Sequence, residues 1–231
     1  MDYKLKSWIN INYLNWKHLS ANPNAIKLLE ENIENIDWEQ LSANPNAIHI
    51  LEKNIKKINW DQLSANPNAL HILEKYIENI NWTLLSANPN AIYLLEKYKY
   101  KINWETLSLN PKAIHLIEKY IELIDWYNLS SNSNAIHILE QNLDKINWYM
   151  LCFNDNGIEI FKKNMNKINW LLVARNKYYY PLIQDIIEKN NSCYFWKELS
   201  ENPAAIYELE KNKNKINWDK ISKNPDIFDL I

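Results

Sequence analysis

The stretch Trp38-Glu39-Gln40-Leu41-Ser42-Ala43-Asn44-Pro45-Asn46-Ala47-Ile48-His49-Ile50-Leu51-Glu52-Lys53-Asn54-Ile55-Lys56-Lys57-Ile58-Asn59 recurs, with variations, along almost the whole chain. Its tryptophan returns at Trp16, Trp38, Trp60, Trp82, Trp104, Trp126, Trp148 and Trp170, each 22 residues after the last. Trp196 follows after 26 residues and Trp218 after another 22, so ten tandem repeats fill residues 16–231. Self-similarity at this period marks a solenoid or array, in which each repeat buries its apolar face on its neighbours. Counting from the tryptophan gives each residue of a repeat a position from 1 to 22.

Two helix starts are written into each repeat. Asp37, just before Trp38, suits an N-cap, and Gln40 completes a capping box; Asn59 and Gln62 repeat the device. Asn44-Pro45 ends this first helix, because proline disfavours helical geometry in its predecessor and fits the first turn of a new helix. Asn44 is therefore expected to cap a second helix running from Pro45 to about Lys53. The same asparagine stands at position 7 of every repeat: Asn22, Asn44, Asn66, Asn88, Asn110, Asn132, Asn154, Asn176, Asn202 and Asn224. A structural N-cap ladder explains it; amides gripping an extended peptide backbone are a second reading.

Ala47, Ile48 and Leu51, with Ile55 beyond them, form the apolar stripe of the second helix, and Trp38 and Leu41 that of the first. Helices this short are marginal alone. The predicted fold class is therefore all-α, an α-solenoid of ten helix-pair repeats with an irregular eighth. Residues 1–15 read as a capping half-repeat around Leu5, Trp8 and Ile11, and residues 16–231 as one continuous solenoid with its irregular unit at 170–195. Gly157 is the only glycine, so helix ends cannot rely on glycine caps. Asn32, Asn54, Asn142, Asn164 and Asn212, at position 17, are expected to turn left-handed instead.

The balance of 26 basic and 28 acidic residues argues against a general polyanion binder. No uninterrupted apolar run reaches the roughly 18 residues of a transmembrane helix. The opening residues, Met1 to Lys6, lack the apolar run of a signal peptide. That predicts an intracellular protein in which Cys152 and Cys193 are reduced thiols. A single glycine excludes the phosphate-binding loop, the Rossmann fingerprint and the nucleophile elbow. Neither a Cys-x-x-Cys nor a His-Glu-x-x-His pattern occurs, so no catalytic residue, cofactor or metal is expected. His49, His71, His115 and His137 share position 12, but helices stack about 8–10 Å apart, too far for imidazoles that each need about 2 Å to a metal. They read as a solvent-facing ladder.

Positions 2, 3, 6 and 12 vary while the core positions hold. From Tyr127 onward these variable positions turn apolar, giving an exposed stripe of Tyr127, Tyr149, Met150, Phe153, Leu171 and Leu172. The eighth repeat adds the four-residue insertion, the only arginine, Arg175, and Tyr178, Tyr179 and Tyr180. Arginine among aromatics is a hot-spot composition, though a decayed repeat with tyrosines over a packing defect explains it equally. Pro181 is expected to delay or kink the second helix here, and the superhelix to bend near residues 175–193. These ten residues mark the candidate partner surface of a non-enzymatic protein-interaction scaffold. Two alternatives stand beside it. One is a single-stranded nucleic-acid reader using Gln40, Gln62 and Asn128, which lacks a basic groove. The other is head-to-tail self-assembly, suggested by an end at Phe228-Asp229-Leu230-Ile231 without a polar cap.

The core Trp-x-x-Leu-Ser-x-Asn-Pro-Asn-Ala-Ile-x-x-Leu-Glu-Lys-Asn, as from Trp38 to Asn54, resembles tandem repeat proteins of giant DNA viruses of protists. The resemblance covers residues 16–231. Ser133, Asp155 and Lys177 depart from its proline, and most of the eighth repeat departs from the pattern. It implies an intracellular viral protein, in host cytoplasm, facing host or virion, and carries no catalytic residues to transfer.

Overall fold

A computed structural model describes residues 3–187 and 192–228 of the chain. Among these the structure is all-α, a tandem array of short helices with no strand. The residues group into two compact units, Met1–Leu123 and Ile124–Ile231. The division falls between the fifth and sixth tryptophans of the 22-residue series and leaves the spacing unchanged.

In every repeat but the ninth the first helix starts at the tryptophan, because the residue before it is an Asn or Asp in extended conformation whose side chain accepts from a backbone N–H. Asp37 Oδ1 takes the Gln40 N–H at 3.0 Å and Asn59 Oδ1 that of Gln62 at 3.1 Å. The reciprocal half of the expected capping box comes from elsewhere. The Asp37 N–H is bonded by Ser20 Oγ (3.0 Å), not by Gln40, and Ser20 Oγ in turn donates to the Trp16 carbonyl (2.8 Å). Ser42, Ser64, Ser86, Ser130 and Ser200 repeat this double bond, each tying its helix to the cap of the next. In the first unit Trp16–Ala21, Trp38–Ala43, Trp60–Ala65, Trp82–Ala87 and Trp104–Leu107 pack in succession, side by side.

Asn44 does not cap the second α-helix directly. Its Oδ1 accepts the Asn46 N–H (3.0 Å) and its backbone carbonyl the Ala47 N–H (3.2 Å), closing a turn over Pro45 and Asn46. The helix proper, Ile48–Lys53, begins after that turn. The turn leaves the Asn44 amide free to reach back, and Nδ2 donates to the carbonyls of Ser20 (3.0 Å) and Asn22 (3.1 Å) in the preceding repeat. Asn66, Asn88 and Asn110 make the same pair of bonds in the first unit, and Asn154, Asn202 and Asn224 in the second. These side chains are buried, so their amides face the protein interior and do not line a groove for an extended peptide. Asn22, heading the ladder, is exposed, and its side-chain oxygen accepts the Asn24 N–H.

The second helix buries Ala47, Ile50 and Leu51, and Ile48 is half-buried. Two residues of the expected stripe, Ala47 and Leu51, are thus buried as read, and Ile50 takes the buried place expected of Ile48. A third element, which the periodicity did not predict, follows: a 3-10 turn at Ile55–Lys57, repeated at Ile33–Asn35, Ile77–Asn79, Lys99–Lys101 and, in the second unit, at Leu143–Lys145, Met165–Lys167 and Lys213–Lys215. It points Ile58 and, in the other repeats, Ile36, Ile80, Ile102, Ile146 and Ile168 into the core, while Ile216 is half-buried, each fully buried side chain contributing roughly 1.5–3 kcal/mol. Because the chain runs on into this turn, position 17 has no need to reverse. No described residue has positive φ; Asn54 sits at φ −130 and ψ 44, and its amide caps the Ile50 carbonyl at 2.8 Å. Where Tyr replaces Asn there, its ring packs on the tryptophan of its own repeat, as in Trp60–Tyr76 at 5.4 Å.

The N-terminal segment lies along the first repeat with Leu5 and Ile11 half-buried, but Trp8 faces solvent. In the eighth repeat a 3-10 turn at Lys177–Tyr179 leads into Tyr180–Ile187. That helix starts in the usual register, so Pro181 lies in its first turn, where a missing N–H breaks no bond. Proline therefore does not delay the helix. The next helix, Cys193–Leu199, starts ahead of its tryptophan and buries Trp196. The expected bend falls partly on residues 188–191, which lie outside the described residues, as do Asp229, Leu230 and Ile231.

Asn66→Ala should destabilise by about 2–4 kcal/mol, since it leaves the Ser42 carbonyl and the Asn68 N–H without their side-chain partner and strips the Asn44 carbonyl of one of its two donors. Asn66→Asp should cost more, because a carboxylate cannot donate to carbonyls. Asn22→Ala, losing only its turn bond, should cost under about 1 kcal/mol. Urea midpoints followed by circular dichroism give the ranking.

Candidate protein-interaction groove

Four of the ten candidate surface residues meet on one opening in the second unit. Asn147 caps Trp148–Leu151, which sets Tyr149 and Phe153 one helical turn apart on the same side. Their rings meet edge to face, centroids 5.5 Å apart. Asn169 caps Trp170–Arg175, and Leu172 and Arg175, three residues apart, face them. Glu198, from Cys193–Leu199, closes the far side, with Cys152, Asp155 and Asn176 completing a cavity of about 440 Å³. Tyr149, Phe153 and Arg175 are exposed and Leu172 half-buried.

Arg175 is held at the rim by charge. Its Nε lies 3.3 Å from Glu201 Oε2, while Lys220 Nζ is 2.7 Å and Lys223 Nζ 3.8 Å from Oε1. Burial pushes the Glu201 carboxyl up, but the Lys220 hydrogen bond and the charges of Lys220, Arg175 and Lys223 outweigh it, so it titrates below its ordinary value. Cys152, standing where every other repeat but the eighth has serine, keeps the serine geometry: Sγ donates to the Trp148 carbonyl at 3.3 Å. Burial raises its thiol above the usual range.

The other six candidates go elsewhere. Tyr127 and Leu171 are exposed and Met150 is half-buried, all outside this lining. Tyr178 is exposed under the Lys177 ammonium, 5.0 Å from its ring. Tyr180 is half-buried in the first turn of its helix, its hydroxyl pushed up by that burial. Tyr179 is 0% exposed and belongs to the core. Its hydroxyl reaches the carbonyls of Leu151 (2.8 Å) and Asn154, and its ring packs on Phe161 at 5.5 Å. It also accounts for Gly157. Both occupy position 10, normally alanine, in consecutive repeats, and a Cβ on Gly157 would stand 2.5 Å from the Tyr179 hydroxyl. A large and a small residue have replaced two of middle size. Asp155 stood out only as a departure from the repeat's proline, and Glu198 and Glu201 lacked a sequence signal, since only folding brings three repeats together here.

Position 12 is exposed, and its histidines pair with glutamates one repeat back: His49 with Glu30 and His71 with Glu52 at 2.8 Å, His115 with Glu96 at 2.9 Å. Among the described residues no group of three or more His, Cys, Asp or Glu side chains is placed to hold a metal. No described helix is long and apolar enough to cross a membrane. Comparison with protein-family models, with curated proteins and with solved structures found no match to this chain.

The Gly157–Tyr179 fit sets up a double-variant measurement. Gly157→Ala should destabilise by about 1–3 kcal/mol through overpacking and Tyr179→Ala by about 3–5 kcal/mol through the cavity it leaves. The double variant restores the regular alanine pair, so its loss should fall at least about 1 kcal/mol short of their sum, read from denaturation midpoints. For Glu201, a carboxyl lower in the folded than in the unfolded chain adds stability above its unfolded value near 4.5, lost as pH falls through the folded value. Melting temperature should thus drop less for Glu201→Gln than for the parent between about pH 6 and pH 3.

Proposed function

We propose that this chain is a non-enzymatic protein-interaction module whose main contact is the Tyr149–Phe153–Leu172–Arg175 groove. The observation that carries the reading is the convergence of two aromatic rings, a leucine and the chain's one arginine on an open cavity of about 440 Å³. A peptide partner would place an apolar side chain against Tyr149, Phe153 and Leu172, and the planar guanidinium of Arg175 would meet a carboxylate or carbonyl beside it. Such aromatic and arginine anchors commonly dominate binding energy at protein interfaces. Arg175 is already oriented by Glu201, so little side-chain freedom is lost on binding. In keeping with the resemblance of its repeat, the partner is proposed to be a host or viral protein inside the cell.

Panning a random peptide library on the folded protein, then measuring anisotropy with the enriched peptides, tests this. Peptides sharing an apolar anchor near an acidic residue are expected, weakened about tenfold or more by Phe153→Ser and by Arg175→Ala. No enrichment, or enriched peptides indifferent to both substitutions, would overturn the assignment.

A further inference from the structure

The first unit breaks its own pattern at Lys97-Tyr98-Lys99-Tyr100-Lys101. Position 18 is isoleucine in the three repeats before it, at Ile33, Ile55 and Ile77, and here becomes Lys99. Position 19, charged at Glu34, Lys56 and Glu78, becomes Tyr100. Neither change serves the core, since Lys99 is exposed and Tyr100 is 77% exposed on the 3-10 turn Lys99–Lys101.

Around that turn the structure assembles aromatic faces and ammonium groups. Lys99, Tyr100, Trp104, Tyr120 and Leu123 line a cavity of about 290 Å³. Trp104 packs on Tyr120 at 5.3 Å, and Tyr98 meets Tyr100 edge to face at 6.4 Å. Lys97, Lys101 and Lys119 sit 5.5, 5.8 and 5.6 Å from the ring centres of Tyr98, Tyr100 and Tyr120. Four exposed lysines thus gather here, and among the described residues none lies within ion-pair distance of a carboxylate. Glu96, Glu105, Glu118 and Glu122 are near in sequence, but Glu96 is taken up by His115 and the others leave these lysines unbridged.

We propose that this cluster binds nucleotide units, a planar base stacking on Tyr100 and Trp104 while Lys97, Lys99, Lys101 and Lys119 meet its phosphates. The occupant that fits best is a single strand of nucleic acid. Such strands are held by aromatic platforms, tolerant of sequence, set in a basic track. The Trp–Tyr pair recurs at equivalent positions through this unit, at Trp60–Tyr76, Trp82–Tyr98 and Trp104–Tyr120, each tyrosine preceded by a lysine. A ladder of such pairs suits a polymer alternating base and phosphate. A phosphotyrosine peptide is also planar and anionic, but its recognition favours the bidentate fork of arginine, and the cations here are all lysine. The site lies on the 3-10 edge of the first unit and uses neither positions 2 and 3 nor the groove of the second unit.

The test is anisotropy with labelled short oligo(U) and oligo(dT), their duplex counterparts, AMP as competitor and a phosphotyrosine peptide. Single strands should bind more tightly than duplex, with affinity falling as salt rises at a slope of about −0.7 per neutralised phosphate. Tyr100→Ala should weaken binding roughly tenfold, as loss of one stacked base entails, while Tyr100→Phe keeps it. Lys99→Glu/Lys101→Glu should abolish it, and all three variants change surface residues, so unaltered circular dichroism keeps the result interpretable. Displacement by AMP marks a site for one nucleotide; binding of the strand without displacement marks a site needing several. Failure to bind any single strand, equal binding of duplex, indifference to Tyr100→Ala, or binding of the phosphotyrosine peptide alone would each overturn the proposal.

Discussion

The buried asparagine of position 7 holds one repeat to the next. Among side chains of its size only an amide can accept with one atom and donate with the other. Asn66 uses Oδ1 to close its own turn on the Asn68 N–H and Nδ2 to bridge the Ser42 and Asn44 carbonyls one repeat back. Those carbonyls lie at the C-terminal end of a six-residue helix, where backbone acceptors have no intrahelical partner. The shorter the helix, the larger the share of its backbone at such ends, and an array of six-residue helices depends on neighbours to satisfy them. Serine of position 5 does the same for the other end of the next helix. No buried side-chain polar atom among the described residues lacks a partner, so this polar skeleton is complete where a partial one would be costly.

The apolar core is correspondingly regular, and its one large departure is internally compensated. Tyr179 occupies an alanine position because Gly157 gives up its Cβ, and Phe161 fills the leucine position beside them. Close packing allows a bulky side chain only where a neighbour shrinks. The middle tyrosine of the three in the eighth repeat is thus a packing residue, and the proposed interaction surface falls on Tyr149, Phe153, Leu172 and Arg175. The other chemically distinct surface, at Lys97 to Lys101, lies in the other unit and combines rings with lysine instead of arginine. The two proposed surfaces differ in chemistry, and a redundant repeat accommodates both, because substitutions at exposed positions leave the core and its ladders untouched.

Much of the fold was legible in the sequence for a physical reason: each repeat makes the same local decisions. Tryptophan spacing determined the repeat, the Asn or Asp before it determined the start of the first helix in every repeat but the ninth, and the position 7 asparagine, usually with proline after it, marked where that helix stops, since these rest on contacts within a few residues. The all-α class followed from them. Of the candidate site, the types and positions of Tyr149, Phe153, Leu172 and Arg175 stood out as apolar or unique replacements at variable positions. Glu198, Glu201 and Lys220 did not, being ordinary charges on ordinary surface positions.

Only tertiary structure decided what depends on residues 17 to 28 apart. It gave the Asn amides to carbonyls one repeat back, and with them the buried state of the ladder. It moved the second helix to Ile48, which exchanged Ile48 for Ile50 in the core. It kept position 17 out of the left-handed region, because a 3-10 turn, not a reversal, follows. It sent Tyr179 inward while Tyr178 stayed out, a choice set by the space above Gly157 and invisible in three consecutive identical letters. Local propensity reads off the chain; who satisfies a given donor, and which neighbour leaves room, are properties of the packed array.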